Sequence, residues 1–436
     1  MGNTTLDTLK ARVVGGDARV GILGLGYVGL PLAVEFGAAG LNVTGFDLSE
    51  RKVNSLNQGE SYIQDVETAR LKDLVTKGRV QATTDFTKIR ECDALIICVP
   101  TPLSKTKDPD LEMVVSATRS IAENMRAGQL VVLESTTYPG TTDELILPML
   151  SEKGLRVGVD FFLAFSPERV DPGNPKFHTR NTPKVIGGMT AACGEAAKAL
   201  YSKAIEKIIV VSSPRAAEMV KLLENTFRSV NIGLVNEVAL MCRRLNVSVW
   251  EVIDAAATKP FGFMAFYPGP GLGGHCIPID PLYLSWKLKT LNYRARFIEL
   301  ASEINAGMPE YVVDRLVEAL NDRERSLRGS RVHILGAAYK KDIEDVRESP
   351  AVDFIKILQS KGAKVTYTDS WVPTLEHEGI DLKSIDAVPA VEEADAVVII
   401  TDHSKVPYAD LVSRAKLVLD ARNATRGIEA PNIVRL

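Results

Sequence analysis

The chain has 436 residues, of which 45% are hydrophobic and 25% are charged, with a formal net charge of −3 at pH 7. This length and apolar content predict two or three globular domains, and the small net charge gives no electrostatic reason to expect nucleic acid or a membrane as a partner. The five cysteines are scattered without a CxxC pair, and no stretch has the length and apolarity of a signal peptide or membrane span. We therefore expect a cytoplasmic protein with no metal site.

The first predicted α/β unit follows a short N-terminal extension. Residues 1–17 form this extension, which is expected to be helical from Leu6 to Val14. A strand at residues 19–23 then runs into a GxGxxG motif at residues 24–29, and a helix follows. Glycines at these spacings allow a tight turn and let the backbone approach a pyrophosphate at the helix N-terminus. The pattern predicts a dinucleotide site; the alternative is a tight turn without a ligand.

Asp47 ends the next predicted strand, at residues 42–47, about 20 residues after the glycines. A carboxylate at this point bonds the two ribose hydroxyls and repels a 2′-phosphate, so it favours NAD over NADP. Arg51 and Lys52 follow closely and oppose that preference.

Three further apolar segments predict parallel strands that are buried on both faces, at residues 94–99, 130–133 and 161–165. Polar residues just beyond the carboxyl ends of such strands line the crevice where these sheets bind ligands. Thr101, Thr136 and Glu168 are therefore candidate site residues by position. Each is equally consistent with a turn residue or a helix cap.

Residues 214–245 predict one long helix, because apolar residues recur at helical spacing after Pro214. Lys221 and Asn225 are four residues apart and so share a face of this helix. The alternative for this pair is a solvated helix face. Further helices are predicted at residues 249–257 and 297–320.

Residues 266–281 form a loop rich in Gly and Pro that contains Cys276. A helix is predicted at residues 282–289, with Asp280 as its N-cap. A cysteine just before a helix N-terminus and next to His275 has two reasons for a lowered thiol pKa, which would make it a nucleophile. The alternative is a small apolar residue that closes a tight loop.

A second α/β unit begins with the strand predicted at residues 331–336 but lacks GxGxxG; its turn contains Lys340 and Lys341, which suit a phosphate. The predicted fold class is α/β, with two Rossmann-like doubly wound domains joined by a long central helix and a helical middle segment. The predicted boundaries are 1–17 for the extension, 18–213 for the NAD-binding Rossmann-like domain, 214–325 for the central helical domain and 326–436 for the second Rossmann-like domain.

These motifs together resemble the nucleotide-sugar 6-dehydrogenase family. The matches lie, in order, at residues 24–29, 134–140, 166–169, 221–225, 273–280 and 336–349. The resemblance implies that the C6 alcohol of a UDP-sugar is oxidised to a carboxylate with two NAD⁺. The sequence of residues 269–278 is most similar to the branch that acts on UDP-N-acetylglucosamine, and UDP-glucose and UDP-N-acetylmannosamine remain alternatives.

The resemblance also implies roles for individual residues. Cys276 would be the nucleophile that forms a thiohemiacetal and then a thioester, Lys221 and Asn225 would stabilise the oxyanion, Asp280 and Thr136 would orient a water, and Glu168 would assist hydrolysis. The implied cofactor-binding residues are Gly24, Gly26, Tyr27, Val28, Gly29, Asp47, Lys52, Thr101, Thr136 and Arg347. The implied substrate-binding residues are Glu168, Arg169, Lys221, Asn225, Gly269, Gly271, Gly273, Lys340 and Arg422.

The pocket for an N-acetyl group is expected around residues 169–177 and 259–267. A homodimer through the central helix is expected, with a larger homo-oligomer as an alternative. Two rival functions stay open: a two-electron dehydrogenase in which Cys276 is structural, and a nucleotide-sugar sensor without turnover.

Overall fold

The computed structural model describes residues 4–63, 65–104, 108–170, 174, 176–274, 276–377 and 379–436. The chain divides into two compact units. Unit 1 comprises Met1–Glu224 and Trp286–Asn292, and unit 2 comprises Asn225–Ser285 and Tyr293–Leu436.

Unit 1 is built on one sheet of eight strands. The strands are β1 (Arg19–Leu23), β2 (Asn42–Phe46), β3 (Val80–Thr83), β4 (Ala94–Ile97), β5 (Leu130–Leu133), β6 (Phe162–Phe165), β7 (Lys184–Gly188) and β8 (Ile208–Val211). Their order is β3-β2-β1-β4-β5-β6-β7-β8, and every pair is parallel except β6 and β7. The first six strands have the doubly wound order, whose ligand crevice lies at the carboxyl ends of β1 and β4.

The apolar composition of the central strands explains this arrangement. All residues of β4, β5 and β6 are buried, as expected for parallel strands covered on both faces by helices. The helices of unit 1 are α1 (Thr4–Gly15), α2 (Gly29–Ala38), α3 (Glu50–Asn57), α4 (Thr68–Thr76), α5 (Glu112–Asn124), α6 (Leu147–Ser151) and α7 (Ala191–Tyr201), with a 3₁₀ helix at Phe86–Glu91 and a π-helix at Thr141–Ile146.

The helix α1 lies within the predicted N-terminal extension and packs on α7. Leu6, Leu9 and Val13 are buried in the same apolar cluster as the strands of the sheet. Lys10 also forms an ion pair with Glu195 of α7, with its Nζ 3.2 Å from the carboxylate. The extension is therefore part of the core of unit 1.

The helices α8 (Pro214–Leu245), α9 (Val249–Ala257), α10 (Asp280–Lys289) and α11 (Arg296–Asn321) follow in the chain. The long helix α8 has the predicted bounds, and the division between the units falls between its residues Glu224 and Asn225. Within unit 2, α8 packs against α11, where the buried Asn236 donates to Asn305 at 2.8 Å. An added Cβ at Gly233 would lie 3.1 Å from Ala301, so a glycine allows this close approach.

Unit 2 also contains the second sheet. Its strands are β9 (Arg331–Leu335), β10 (Lys364–Thr368), β13 (Ala396–Ile399), β14 (Val418–Asp420) and β15 (Ile433–Arg435), while β11 (Thr374–His377) and β12 (Ile380–Lys383) form a separate antiparallel hairpin; the helices are α12 (Pro350–Ser360), α13 (Ala387–Glu393) and α14 (Tyr408–Arg414). The order is β10-β9-β13-β14-β15, and all pairs are parallel. The predicted fold class of two Rossmann-like sheets is confirmed. No helix of the described residues has the length and apolarity needed to cross a membrane.

Candidate active site

The turn after β1 has space for a dinucleotide. Gly24 has φ of 94°, and an added Cβ there would lie 2.8 Å from the backbone oxygen of Cys98. An added Cβ at Gly29 would lie 1.9 Å from the oxygen of Gly24, so this glycine is needed for helix and strand to meet. In contrast, a Cβ at Gly26 would meet nothing within 4 Å. The residues present therefore fit a pyrophosphate, which needs close backbone approach and open space at this position.

Asp47 lies directly after β2 and is held by three contacts. Its Oδ2 accepts the N–H of Leu25 at 2.9 Å, and its Oδ1 accepts the N–H of Ser49 at 2.9 Å. The Nζ of Lys52 lies 3.1 Å from Oδ2 in an ion pair. Lys52, which the sequence indicated as opposing the preference for NAD, thus pairs directly with the Asp47 carboxylate.

The loop after β5 meets α8. Lys221 is buried and its Nζ donates to the Oγ1 of Thr136 at 2.5 Å. Thr101, in the loop after β4, is also buried, and Ser135 donates to the backbone oxygen of Val99 at 2.7 Å. The structure therefore brings the two predicted catalytic residues Lys221 and Thr136 together within unit 1.

Glu218 fixes this loop and was missed by the sequence reasoning. Its carboxylate accepts the N–H groups of Gly140 and Thr142 at 2.7 and 3.0 Å, and the hydroxyl of Thr142 at 2.7 Å. Burial raises the pKa of Glu218, and these hydrogen bonds oppose the shift. Because Glu218 is three residues before Lys221, it lies on the same face of α8 and holds that face against the loop. The spacing of three residues between Glu218 and Lys221 is the sequence signal that could have indicated this shared face.

Glu168 follows β6, as predicted. Its Oε1 accepts the N–H groups of Arg169 and Val170 at 2.8 and 2.7 Å. Burial raises the pKa of Glu168, while these backbone N–H groups and the charges of Lys221 and Arg169 oppose the shift. The Arg169 guanidinium donates to the Glu224 carboxylate at 2.5 Å. Arg169 therefore links the Glu168 loop to α8.

Three further buried groups surround Glu168 and were also missed. Lys184, the first residue of β7, forms an ion pair with Glu134, and its Nζ lies 3.4 Å from the Oε2 of Glu168. Tyr201 donates to the second oxygen of Glu134 at 2.6 Å. Burial lowers the pKa of Lys184 to about 7, Cys98 opposes that shift, and the charge of Lys221 adds to it.

The cysteine loop belongs to unit 2. Cys276 is exposed, whereas the other four cysteines are buried. Its backbone oxygen accepts the N–H of Asp280 at 2.8 Å, and the Asp280 carboxylate accepts the side-chain amide of Asn225 at 2.6 Å. The structure thus brings Asn225, Asp280 and the cysteine loop together. His275, the predicted neighbour of the thiol, lies outside the described residues.

The prediction for Asp280 as an N-cap needs a correction. The helix α10 begins at Asp280 rather than at residue 282, so Asp280 is its first residue. The side chain is buried and directed to Asn225, which lies 55 residues earlier in the chain. A tertiary contact has replaced the expected local one.

The glycines of this loop lie against the C-terminal part of unit 2. Gly269 donates its N–H to Asn236 at 3.0 Å, and an added Cβ at Gly269 would lie 2.5 Å from the guanidinium of Arg422. Gly271 has φ of 140°, and a Cβ there would lie 3.3 Å from Pro350. Burial lowers the pKa of Arg422. The predicted substrate residues Gly269, Gly271 and Arg422 are thus neighbours in unit 2.

The end of the loop contacts the turn after β9. An added Cβ at Gly273 would lie 2.5 Å from the Cβ of Tyr339, and Gly274 donates its N–H to the oxygen of Arg347 at 3.1 Å. The Arg347 guanidinium forms an ion pair with Asp345 at 2.6 Å. Arg347, predicted to hold NAD, is thus an exposed residue of unit 2 beside the cysteine loop.

The turn that carries Lys340 is fixed by a buried histidine. Asp342 donates its N–H to the Nδ1 of His403 at 3.0 Å, and Ser404 donates its N–H and hydroxyl to the Asp342 carboxylate. Because Nδ1 accepts, we assign the proton of His403 to Nε2, which donates to Asp369 at 2.9 Å. Lys340 is half-buried in this turn. No cluster of three or more His, Cys, Asp or Glu side chains suited to a metal occurs among the described residues.

Comparison with known proteins identifies the class. Residues 18–205, 215–307 and 333–427 match, in order, the family models of the NAD binding domain, the central domain and the UDP binding domain of the UDP-glucose/GDP-mannose dehydrogenase family. The chain belongs to this family and is an NAD-dependent nucleotide-sugar dehydrogenase. The predictions of family and cofactor are confirmed.

Individual relatives cover most of the chain. The UDP-N-acetyl-D-mannosamine dehydrogenase of Pyrococcus horikoshii is 37% identical over 411 residues, covering 93% of this chain and 95% of that protein. The UDP-N-acetyl-D-glucosamine 6-dehydrogenase of Pseudomonas aeruginosa is 38% identical over 358 residues, covering 82% and 83%. The solved structure of the P. horikoshii UDP-D-ManNAc dehydrogenase has a TM-score of 0.88 at 35% identity, covering 96% of this chain and 98% of that one.

Proposed function

We propose that this enzyme oxidises the C6 hydroxyl of a UDP-N-acetylhexosamine to the carboxylate, through a thioester on Cys276. The observation that carries the proposal is the position of Cys276: it is exposed, and its backbone oxygen accepts the N–H of Asp280, whose carboxylate is bonded to Asn225. An exposed thiol in a loop that is hydrogen-bonded to Asp280 suits covalent catalysis better than packing.

Each group of the chain has a distinct task in this proposal. Two NAD⁺, bound one after the other, would each accept one hydride, one for each two-electron oxidation. Lys221 and Asn225 donate hydrogen bonds to the C6 oxygen, where negative charge develops. Asp280 and Thr136 orient a water that removes the hydroxyl proton. The Cys276 sulfur adds to the aldehyde carbon, and the resulting thiohemiacetal retains a C6 hydrogen, so it can be oxidised to the thioester.

Hydrolysis completes the proposed reaction. Water forms a C–O bond to the thioester carbon, one of its protons passes to the Glu168 carboxylate, and the C–S bond breaks to release the Cys276 thiolate. Glu168 needs to be ionised for this step. The burial that raises its pKa works against ionisation, and the surrounding positive charges work for it.

The sugar is proposed to be UDP-N-acetylglucosamine, because the sequence of residues 269–278 is most similar to the branch of the family that acts on this sugar. A second candidate is UDP-N-acetylmannosamine, its C2 epimer, because the P. horikoshii relative named for that sugar aligns over 93% of the chain. The segments proposed to recognise the acetamido group are residues 169–177 and 259–267, although residues 171–173 and 175 lie outside the described residues. A pocket that hydrogen-bonds the amide would discriminate strongly against UDP-glucose, because a buried polar group would be left unpaired.

The test is a panel of UDP-N-acetylglucosamine, UDP-N-acetylmannosamine and UDP-glucose with NAD⁺, in which NADH formed per sugar consumed is counted. We expect two NADH per sugar and the uronic acid as product. One NADH per sugar with released aldehyde would contradict the covalent mechanism. A higher kcat/KM for UDP-glucose would contradict the acetamido assignment alone.

We also propose a homodimer through α8. Phe227, Leu234 and Met241 are seven residues apart on this helix and are 49%, 54% and 48% exposed. A heptad-spaced apolar stripe suits packing against the same helix of a second copy.

A further inference from the structure

The topology of unit 1 brings a buried lysine to the proposed base of thioester hydrolysis. The strands β6 and β7 pair antiparallel, with Ala164 opposite Gly188 and Phe165 opposite Gly187, so the same register continued beyond β6 sets Lys184 opposite Glu168. Lys184 is the first residue of β7, and Glu168 follows β6 in the loop that ends at Arg169 and Val170. Ser166 also donates to the oxygen of Val185 at 2.9 Å, which fixes the two segments together.

The Lys184 ammonium is shared between two carboxylates. It forms an ion pair with Glu134 and lies 3.4 Å from Glu168. Glu134 is held in turn by the hydroxyl of Tyr201 at 2.6 Å. All four side chains are buried or nearly so, and a buried charge is stable only when it is paired and hydrogen-bonded.

The groups that act on Glu168 differ in sign. Lys221 and Arg169 carry positive charge, and Lys184 carries it on the acid side of its pKa of about 7, where the acid limb is measured. Glu134 carries negative charge beyond Lys184, and Tyr201 and Cys98 are neutral titratable groups nearby. Of the three cations, Arg169 is already paired with Glu224, and Lys221 donates to Thr136. Lys184 also lies 3.4 Å from the Glu168 carboxylate, so its removal takes away one of three nearby positive charges.

We propose that Lys184 is a positioning residue for thioester hydrolysis: its ammonium keeps the Glu168 carboxylate ionised, and Glu134 with Tyr201 limits that support. The role rests on the proposed function, because it concerns the step in which Glu168 accepts a proton from the attacking water. Sharing Lys184 with Glu134 leaves Glu168 basic enough to take that proton, whereas an exclusive ion pair would make it a weaker base.

Two substitutions shift the hydrolysis step in opposite directions. A carboxylate base works above its pKa, so the rate of hydrolysis falls as the pH falls through that value. This fall is the acid limb of the pH–rate profile. Lys184→Met removes a positive charge from beside Glu168, which raises the pKa of Glu168 and moves the acid limb of the rate to higher pH. Glu134→Gln removes the competing carboxylate, which lowers the pKa of Glu168 and moves the acid limb to lower pH. A purely structural lysine would not produce opposite shifts.

The experiment uses the full-length protein with NAD⁺ and UDP-N-acetylglucosamine, or whichever panel sugar is turned over best. Quenched-flow samples between pH 5.5 and 9 give the rate of acid formation, and intact mass spectrometry gives the fraction of enzyme carrying a covalent sugar. For Lys184→Met we expect the acid limb to rise by about one pH unit or more, since one charge at this distance changes proton affinity about tenfold even in water. The covalent adduct should accumulate at low pH.

Lys184→Arg is the matched control, because it keeps the charge and should restore most of the wild-type profile. Melting temperature and NAD affinity report whether each variant is folded. If Lys184→Met does not fold, Glu134→Gln alone decides: a downward shift supports the role, and an unchanged limb overturns it. An unchanged limb in Lys184→Met, with the wild type producing acid, overturns the role of Lys184 only. A wild type that releases aldehyde after one NADH overturns the proposed function, and this role with it.

Discussion

The two glycines of the first turn should respond in opposite ways to the same substitution. A Cβ at Gly29 would lie 1.9 Å from the oxygen of Gly24, far inside any real contact, whereas a Cβ at Gly26 meets nothing within 4 Å and the φ of Gly26 is not positive. We therefore compare Gly29→Ala with Gly26→Ala. The first should damage the fold, and the second should damage only the cofactor site.

The expected magnitudes follow from these contacts. Overpacking against the backbone costs about 1–3 kcal/mol, and a domain of this size loses about 2–4 °C in Tm per kcal/mol, so Gly29→Ala should lower Tm by roughly 2–12 °C. Gly26→Ala should raise stability by about 0.4–1 kcal/mol, because alanine restricts the unfolded chain. Its methyl group would occupy the proposed pyrophosphate space, and loss of one charged hydrogen bond, about 1.5–3 kcal/mol, would weaken NAD binding by about 10- to 150-fold.

The assays are thermal unfolding followed by fluorescence and calorimetric titration with NAD. Titration with UDP is the control, because the family assigns UDP to the other α/β domain. A Gly26→Ala protein that binds NAD within about twofold of wild type would refute the reasoning, as would a Gly29→Ala protein with unchanged Tm.

Three other substitutions test the proposals. Cys276→Ser should bind NAD normally but form no uronic acid in steady state, because an alcohol is a weaker nucleophile than a thiolate. NADH and uronic acid are measured together. Sustained formation of the acid by this variant would contradict the thioester. Asp47→Ala should narrow the preference for NAD over NADP, because the Lys52 ammonium, which pairs with Asp47 in the wild type, becomes available to a 2′-phosphate. The measurement is the ratio of kcat/KM for NAD to kcat/KM for NADP. An unchanged ratio would mean that Asp47 does not determine the choice of cofactor. Leu234→Glu should convert the proposed dimer into monomers, and light scattering measures the molar mass. Lys72→Glu, on an exposed helix face of unit 1, is the control. A monomeric wild type would contradict the proposed interface.

The elements that the sequence predicted well are those with a strong local pattern. The long helix α8 has the predicted bounds because apolar residues recur along it at helical spacing. The β1 turn and Asp47 were found because glycines and a terminal acid mark them. The resemblance implied roles for Lys221, Asn225, Asp280 and Thr136 but not their contacts; in the structure Lys221 is hydrogen-bonded to Thr136, and Asn225 to Asp280.

What the sequence did not reveal depends on contacts between distant residues. The strand β7 ends in two glycines and is antiparallel to β6, so no periodic pattern marks it. A lysine usually indicates a surface position, but Lys184 is buried because Glu134, 50 residues earlier, neutralises it. Asp280 is likewise the first residue of α10 rather than its N-cap, and its carboxylate accepts from Asn225, 55 residues earlier.

The turns after β1 and β9 show how one fold takes two different ligands. In both, a glycine with positive φ faces the strand that follows in the sheet: Gly24 faces Cys98 and Gly336 faces Thr401. In both, an acid after the second strand accepts an N–H of the turn: Asp47 from Leu25 and Asp369 from Ala337. The two turns are therefore built on the same plan up to this point.

They differ two residues after the first glycine. Gly26 faces open space, whereas Ala338 is fully buried, donates its N–H to Asp369 at 3.0 Å and accepts the hydroxyl of Thr401 at 2.6 Å. Asp369 also accepts from His403, and its side chain has no exposed surface, while that of Asp47 is 10% exposed. The second turn thus has its acid and its N–H groups bonded internally, so we predict that it takes no NAD. Calorimetric titration should give one NAD per chain, bound about 10- to 150-fold more weakly in Gly26→Ala with UDP binding intact. Two NAD per chain, or an NAD affinity that Gly26→Ala leaves unchanged, would contradict the assignment of the cofactor to the first turn alone.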